Sequence, residues 1–342
     1  MDSERSIPTL DDVAKAAAVS TATVSRCLNS PDRVAERTRL RVMKAVEDLG
    51  YTPNFGARVM AAKRTFTIGA IIPTMENAIF AKGLQAFQEE LHARGYTLLV
   101  SSSAYQPKVE EEQIRALIAR GADGLLLIGY DRDASVYDYL ESQKVPALIA
   151  WAYNSENTRA AIGFDNRASM YALAQDVLAR GHRNIGVISG VLKGNDRAEQ
   201  RVRGIKDALA QAGLRADDLP IIETSYEIEN GGDALERLLK AHPELSAVMC
   251  GNDVLAVGAL LRARVIGLSV PDALSITGFD DIELARIVSP QLTTVHVPHG
   301  EMGRQAAVEL TAMVEKISTG KSLKLASSLQ IRDSLAAPKG LR

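Results

Sequence analysis

The first fifty residues carry the spacing of apolar positions that is typical of short helices. Apolar side chains recur at intervals of three and four residues, at Leu10, Val13, Ala14 and Ala17. Thr9 directly precedes this run and is a suitable N-cap residue, and Asp12 favours the positive end of a helix. The pattern therefore predicts a short helix that begins after Thr9.

Two more helices are predicted in the same stretch. Ser20 can cap a helix over residues 21–29, so a turn of two residues joins it to the first helix. A third helix is predicted over residues 35–49 and ends at Gly50, a suitable C′ residue. The inward residues of these two helices are Val24, Leu28, Val42, Val46 and Leu49. The second helix then exposes Thr21, Ala22, Ser25 and Arg26.

From residue 66 onward, short apolar runs alternate with longer helical patterns. The runs predict strands at residues 68–72, 97–100, 124–128, 147–149, 185–188, 221–222, 247–249, 275–277 and 294–297. Three helices end in the same Ala-Arg-Gly sequence before the next strand, at residues 93–95, 119–121 and 179–181. Such repeats form parallel sheets covered by helices. The number of strands predicts two such sheets.

Polar and aromatic residues follow most of the predicted strands. They include Asn77, Ser101, Tyr130, Trp151, Ser189, Tyr226, Asn252, Asp253 and Asp280. Ligands of open parallel sheets bind beyond the C-terminal strand ends, and a mixture of carboxylates, amides, hydroxyls and rings suits a polyhydroxylated ligand. For one such residue a turn or a helix cap is the more common role, but the repetition favours a binding cleft.

Composition agrees with a folded chain of two or three domains. Of 342 residues, 46% are hydrophobic and 24% are charged, which excludes a disordered or collagen-like chain. Cys27 and Cys250 belong to no paired motif, so neither a zinc site nor a disulfide framework is predicted. No apolar run approaches the ~20 residues that span a bilayer, and no export signal is visible. A cytoplasmic location without a membrane partner is expected.

Charge is distributed unevenly along the chain. Residues 1–64 contain 11 Lys or Arg and 8 Asp or Glu, a net charge of +3, whereas residues 65–342 contain 29 and 34, a net charge of −5. The excess is concentrated at Arg26, Arg33, Arg37, Arg39, Arg41 and Lys44. A basic helical head suits insertion into the major groove of DNA. A solvated helix face or a helical cap on a larger domain explains the same pattern.

The head also contains two segments with a specific amino-acid sequence, in addition to its helical spacing of apolar residues. Residues 9–29 read TLDDVAKAAAVSTATVSRCLN and residues 49–54 read LGYTPN. These segments closely resemble the DNA-binding headpiece of the LacI/GalR family of bacterial repressors. The resemblance implies base-edge contacts from Thr21, Ala22 and Arg26. It also implies phosphate contacts or helix caps at Thr9, Ser20, Thr23, Ser25 and Asn29.

Residues 54–61 resemble the hinge helix of that family, which folds on operator DNA and enters the minor groove. The resemblance implies DNA contacts from Asn54, Ala57 and Met60. Many members place leucine where this chain has Met60, an apolar and flexible side chain that can intercalate. Cys27 stands where the family usually has an aliphatic residue, which implies a small, buried apolar side chain.

The body resembles the periplasmic-binding-protein-like core of the same family. The motifs are FDN at 164–166, RGHRNI at 180–185, RVRG at 201–204, CGND at 250–253, GFDD at 278–281 and PQLTT at 290–294. The resemblance implies effector contacts from Arg201 and Asp280, with Asn252 or Asp253 beside them and Tyr226 as a stacking ring. The other predicted effector residues are Asn77, Phe80, Ser101 and Trp151.

The resemblance implies an α/β fold, with an N-terminal helix-turn-helix headpiece and a core of two doubly wound parallel-sheet lobes. The predicted domains are residues 1–53 (headpiece), 54–65 (hinge helix and linker) and 66–342 (core). The first lobe takes about 66–161 and 293–322, and the second about 162–292 and 323–342, with three crossovers as a hinge.

The same resemblance implies a homodimer, without a tetramerising heptad helix, on pseudo-palindromic operator DNA. Closure of the lobes on a sugar, sugar acid or sugar phosphate would change operator affinity. No cofactor and no metal is predicted. Residues 105–110 and 163–166 resemble the gluconate-repressor branch, which implies a sugar-acid effector.

Two other classes of function are weighed against this one. An enzyme acting on sugars would need a catalytic motif, and the chain has no GxxxxGK[ST] loop, no GxGxxG after a strand, no GxSxG elbow and no HExxH. A solute-binding component of transport would need an export signal. The helical head favours regulation over both.

Overall fold

The computed structural model describes residues 8–29, 31–52, 64–76 and 78–339. The chain divides into two compact units, Met1–Thr65 and Phe66–Arg342. Some residues with predicted DNA or effector contacts lie outside the described part: Asn54, Ala57, Met60, Asn77 and the side chain of Asn29.

The described part of the first unit contains α1 (Leu10–Ala16), α2 (Thr21–Asn29) and α3 (Glu36–Leu49). α1 begins at the predicted cap, where Thr9 Oγ1 accepts a hydrogen bond of 3.3 Å from the N–H of Asp12. The carboxylate of Asp12 in turn accepts one of 2.9 Å from the N–H of Thr9, which completes a capping box. α3 ends at Gly50, whose φ of 61° is left-handed as predicted.

The helices of this unit enclose a small core. Its buried residues are Val13, Ala14, Ala17, Val24, Cys27, Val42, Ala45 and Tyr51, so Cys27 is a small buried side chain, as predicted. The prediction that Leu49 faces inward is wrong, because Leu49 is exposed. The chain reverses at Gly50, and the N–H of Tyr51 donates to the carbonyl of Val46. The ring of Tyr51 thereby covers the end of the core.

The second unit contains two parallel sheets. The first has six strands in the order β11-β5-β4-β3-β1-β2, all paired in parallel. Its strands are β1 (Thr67–Ile72), β2 (Thr97–Ser102), β3 (Gly124–Ile128), β4 (Ala147–Ala150), β5 (Ala161–Gly163) and β11 (Leu323–Lys324). The second has four strands in the order β7-β6-β8-β9, also in parallel. They are β6 (Ile185–Gly190), β7 (Ile221–Thr224), β8 (Ala247–Cys250) and β9 (Ser275–Thr277).

Helices cover both sheets. They are α4 (Ala78–Ala93), α5 (Pro107–Ala119), α6 (Ala134–Gln143), α7 (Asn166–Ala179), α8 (Asp196–Gln211), α9 (Ile228–Ala241), α10 (Asp253–Val265), α11 (Leu284–Ile287) and α12 (His299–Val314). The closely packed pairs are α4 with α12, α7 with α8 and α9 with α10. The central strands β1, β3, β6 and β8 are buried along their whole length, as expected for sheets covered on both faces. No helix in the described part of the chain is long and apolar enough to cross a bilayer.

The chain passes between the two lobes three times. It crosses after β5, at β10 (Thr294–His296) and between β11 and β12 (Ser328–Gln330), and β10 pairs with β12 in antiparallel orientation. β11 pairs with β5, so residues 161–163 and 323–324 belong to the first sheet. The expected lobe boundaries, at 161/162 and 322/323, therefore lie a few residues too early. The partners are about 160 residues apart in sequence, and no local pattern reveals such a pairing.

Candidate DNA interface and effector site

The second helix of the head presents the face that the sequence predicts. Thr21, Ala22 and Arg26 are exposed and Ser25 is half-buried, whereas Val24 on the opposite face is fully buried. α2 thus offers small side chains and one arginine to solvent. Base contacts by these residues stay a prediction.

Hydroxyl side chains at the start of the helices act as caps. Ser20 Oγ accepts a hydrogen bond of 3.2 Å from the N–H of Thr23, and the two hydroxyls lie 2.9 Å apart. The Thr9 hydroxyl donates to Asp12 Oδ2 over 2.7 Å. Hydrogen bonds from Thr9 lower the pKa of Asp12. Thr9 and Ser20 act as helix caps, whereas Thr23 provides the N–H that Ser20 caps, and phosphate contacts by all three residues stay a prediction.

In the second unit, the carboxyl ends of the strands meet around a cleft between the lobes. A small space in it, the inner chamber, has a volume of about 20 Å³. The residues around it include Phe80, Tyr105, Trp151, Phe164, Arg201, Tyr226 and Asp280. The structure therefore brings together five of the predicted effector residues: Phe80, Trp151, Arg201, Tyr226 and Asp280.

Arg201 lies on α8 and is 7% exposed. Its Nη1 donates to Asn166 Oδ1 over 3.3 Å, and its Nη2 donates to the Tyr226 hydroxyl over 3.4 Å. The guanidinium lies 4.8 Å from the centre of the Phe279 ring. Among the described residues, no hydrogen-bond acceptor reaches its Nε. A buried cation with long bonds to neutral groups is suited to a ligand that supplies an acceptor.

Asp280 lies on the other side of the inner chamber and is 2% exposed. Its φ of 108° is unusual for a non-glycine residue. Its Oδ2 has no hydrogen-bond partner in the described part of the chain. Burial raises the pKa of Asp280 to about 7, although the positive charges of Arg201 and Arg197 lower it. Because Oδ2 has no partner among the described residues, it is available for a hydrogen bond with a ligand.

Trp151 packs tightly and offers no free face for stacking. Its Nε1 donates to His299 Nδ1 over 3.1 Å, and its ring meets the edge of Phe80 with centroids 5.4 Å apart. A Cβ at Gly83 would lie 2.4 Å from the indole ring, so only glycine fits there. Trp151 lines the inner chamber, and a direct effector contact from it stays a prediction.

Asn252 and Asp253 form hydrogen bonds with residues of neighbouring segments. Asn252 Oδ1 caps α10 by accepting from the N–H of Leu255 over 2.9 Å. The Asp253 carboxylate accepts from the Thr294 hydroxyl over 2.6 Å and from the N–H of Ile282 over 2.8 Å. Neither residue is among those around the inner chamber or the larger space beside it, and Ser101 lies within β2. Asn252 Nδ2 is buried and has no hydrogen-bond partner in the described part of the chain. Effector contacts from Asn252, Asp253 and Ser101 stay a prediction.

A larger space adjoins the inner chamber and is called the outer chamber here. Its volume is about 360 Å³, and its lining includes Thr74, Glu76, Tyr105, Lys193, Asn195, Ser225, Tyr226 and Glu227. Tyr105 lines both chambers, and its ring centroid lies 5.7 Å from that of Tyr226. The sequence reasoning missed Tyr105 as a site residue, because β2 ends at Ser102, two residues later than predicted, and Tyr105 lies beyond it in a turn.

Comparison with known proteins finds a match in each of the two units of the chain. Residues 9–54 match bacterial regulatory proteins of the lacI family, and residues 174–335 match the periplasmic binding protein-like domain. Catabolite control protein A of Priestia megaterium is 32% identical over 95% of this chain and 98% of its own length. The transcriptional repressor CytR of Escherichia coli (strain K12) is 33% identical over 96% of both chains.

A solved structure extends the comparison to the fold. A complex of the transcriptional regulator CelR with cellobiose is 27% identical, with a TM-score of 0.72, and covers 96% of this chain and 99% of that one. The relatives are named as regulators and not as enzymes, in agreement with the sequence-based prediction. With relatives above 30% identity over nearly its whole length, the chain belongs to the LacI family of bacterial regulatory proteins, as a DNA-binding regulator with a ligand-binding core.

Proposed function

We propose that this protein represses a carbohydrate or sugar-acid utilisation operon and that a small effector bound between the lobes controls its affinity for operator DNA. Residues 1–53 would bind DNA, residues 54–65 would form the hinge helix, and residues 66–342 would bind effector and dimerise. The protein would act in the cytoplasm, as a homodimer on a pseudo-palindromic operator.

The exposed face of α2 supports the DNA-binding part of the proposal. Thr21, Ala22 and Arg26 face solvent on a helix whose first turn is capped by Ser20. An arginine at such a position can form two hydrogen bonds with a guanine edge in the major groove. The relative CytR is named as a repressor.

The observation that carries the effector part is the pair of buried polar groups in the inner chamber. Arg201 Nε and Asp280 Oδ2 belong to buried side chains and have no hydrogen-bond partner in the described residues. Leaving such groups unsatisfied costs about 1–3 kcal/mol each, and a ligand that bonds to both would recover that free energy. The named complex of CelR with cellobiose is consistent with a sugar in this place.

Two measurements on the purified protein test the proposal. Selection from random DNA should yield a two-fold symmetric site, and a thermal-shift screen against sugars, sugar acids and sugar phosphates should yield a stabilising compound. That compound should change operator affinity at least tenfold, and Asp280→Asn should weaken its binding at least tenfold.

Two outcomes would contradict the proposed role as a regulator. If the protein shows no sequence preference on DNA, the repressor assignment is wrong. If it turns over a sugar at a steady rate, and Asp280→Asn abolishes that turnover, the chain is an enzyme.

A further inference from the structure

His299 is a buried imidazole whose two ring nitrogens both have hydrogen-bond partners. It is the first residue of α12 and is 5% exposed. Its Nδ1 lies 3.1 Å from Trp151 Nε1, and its Nε2 lies 3.3 Å from the carbonyl oxygen of Asp280. An indole N–H can only donate and a carbonyl oxygen can only accept. Nδ1 is therefore the acceptor of the first bond, and Nε2 carries the proton of the second.

The two partners of His299 belong to different lobes. Trp151 follows β4 of the first sheet, whereas Asp280 follows β9 of the second sheet. His299 itself is fixed to the first lobe, because α12 packs closely along α4. A Cβ at Gly303 of α12 would lie 1.9 Å from the carbonyl oxygen of Gly83 of α4. The bond from Nε2 to Asp280 therefore crosses the boundary between the lobes.

Both partners have a left-handed backbone. The angle φ is 60° at Trp151 and 108° at Asp280. Such a conformation is costly for a residue other than glycine, and it persists only where neighbouring groups hold the residue in place. His299 bonds to the side chain of one partner and to the main chain of the other, and both partners line the inner chamber. One imidazole thereby holds two strained residues of the chamber wall.

The imidazole can form both bonds only when it is neutral. A protonated ring would turn a second N–H toward the indole N–H and lose that bond. Burial lowers the pKa of His299 to about 4. The hydrogen bond to the Asp280 carbonyl and the charge of Asp281 oppose this shift, whereas His296 and Lys82 add to it. The ring is therefore neutral at pH 7 and forms both bonds there.

We propose that His299 is a positioning residue of the cleft, whose two hydrogen bonds couple the main chain of Asp280 in the second lobe to the ring of Trp151 in the first. A ligand that bonds to the Asp280 carboxyl would then move both sides of the cleft together, because a displaced Asp280 displaces the imidazole and, through it, the indole. The regulatory role of this coupling rests on the proposed function. The coupling itself exists in the ligand-free protein and is tested there.

The single indole N–H of the chain reports the first bond. Isotope-labelled tryptophan gives one indole signal in an NMR spectrum, and its hydrogen exchanges slowly with water while the bond holds. His299→Phe keeps a ring of similar size but removes both bonds, so we expect exchange at least tenfold faster and an upfield shift of the signal. His299→Gln, whose amide offers one acceptor and one donor, should keep the rate within threefold of wild type.

The main-chain N–H of Tyr130 reports the second bond. It donates to Asp196 of the second lobe over 2.7 Å, so its protection from exchange depends on contact between the lobes. His299→Phe should accelerate exchange of this hydrogen at least tenfold, and His299→Gln should stay within threefold of wild type. The main-chain N–H groups of Leu125 and Val187, each bonded within its own lobe, should exchange at unchanged rates.

A second buried histidine provides the matched control. His182 is 1% exposed, and its ring nitrogens bond to the Ser246 hydroxyl and the Ala336 carbonyl, all within the second lobe. His182→Phe should leave the indole and Tyr130 rates unchanged. Unchanged rates in His299→Phe overturn the inference. Equal rates in the Phe and Gln variants of His299 overturn it too, because they show that only the packing of the ring matters.

The remaining outcomes separate the coupling from general stability and from the proposed function. If Leu125 and Val187 exchange accelerates as much as Tyr130 exchange, His299 only stabilises the fold as a whole and the inference is wrong. If the His299 variants behave as expected but no compound of the thermal-shift screen binds, the coupling stands and the proposed function fails.

Discussion

Asp196 Oδ2 accepts a hydrogen bond of 2.7 Å from the main-chain N–H of Tyr130, which joins the second lobe directly to the first. Beside it, Arg197 Nη1 donates to the carbonyl of Ile128 over 3.0 Å. Both bonds connect the first turn of α8 with the end of β3, and α8 also carries Arg201. One helix therefore bears both the contact between the lobes and the main candidate effector residue.

Gly129, which lies between Ile128 and Tyr130, allows this contact between the lobes. Gly129 has a φ of +72°, and a Cβ there would lie 2.0 Å from Arg197 Nη1 and 2.3 Å from Asp196 Oδ1. Gly129→Ala should displace the side chains of Arg197 and Asp196 and weaken their hydrogen bonds to the first lobe. We expect the Tyr130 amide to exchange its hydrogen at least tenfold faster, as measured by hydrogen-deuterium exchange.

A second glycine provides the control for backbone strain. Gly213 has a φ of +73° and nothing within 4 Å of its missing Cβ, so Gly213→Ala imposes the same left-handed conformation on alanine without a collision. If the two variants change Tyr130 exchange alike, strain rather than contact is responsible, and the coupling between β3 and α8 is refuted.

Asp280 should make stability fall as pH rises. Its pKa is about 7 in the folded protein and 3.8 in a model peptide. Between pH 4 and 7 the unfolded chain loses this proton and the folded chain keeps it, so the free energy of unfolding decreases across that window by up to about 4 kcal/mol. Asp280→Asn lacks the effect and should gain about 1–3 kcal/mol relative to wild type between pH 5 and pH 8.

His299 acts in the opposite direction over part of the same range. Burial lowers its pKa from 6.5 to about 4, so the unfolded chain takes up a proton first and stability falls as pH falls from 6.5 to 4. The free energy of unfolding in urea is measured for wild type and Asp280→Asn at pH 5 and at pH 8. Both proteins contain His299, so its contribution cancels in the difference between them. A difference between the two proteins that does not vary with pH contradicts the raised pKa of Asp280.

Much of this architecture can be read from local pattern, because the features concerned depend on neighbouring residues. Thr9 and Gly50 mark helix ends through their own conformations, and the apolar runs mark the central strands. Trp151 could not be placed in this way: its surroundings come from Phe80, Gly83, His299 and Met302, far away in sequence. The strands β5 and β11 were missed, and they pair with each other across about 160 residues, which no local pattern reveals.

The hydrogen bond between Thr294 and Asp253 should stabilise the second unit. It links the crossover strand β10 to the carboxylate that also holds the N–H of Ile282. Thr294→Val keeps the shape but removes the donor from a buried carboxylate, so it should lower the free energy of unfolding by about 1–3 kcal/mol in urea. Thr311→Val is the matched control, because the buried Thr311 hydroxyl only donates to carbonyls of its own helix. Equal losses in the two variants contradict a special role for Asp253.

Arg26 is the side chain of α2 best suited to read a base. It is exposed beside Thr21 and Ala22, and its guanidinium can bond to the O6 and N7 atoms of guanine. Arg26→Ala should weaken binding to the selected operator by about 1–3 kcal/mol in fluorescence anisotropy and relax the base preference at one position of each half-site. The control Arg215→Ala removes an equal charge from an 85% exposed side chain in the second unit. If Arg26→Ala weakens all DNA sequences equally, the side chain contacts phosphate and does not specify a base.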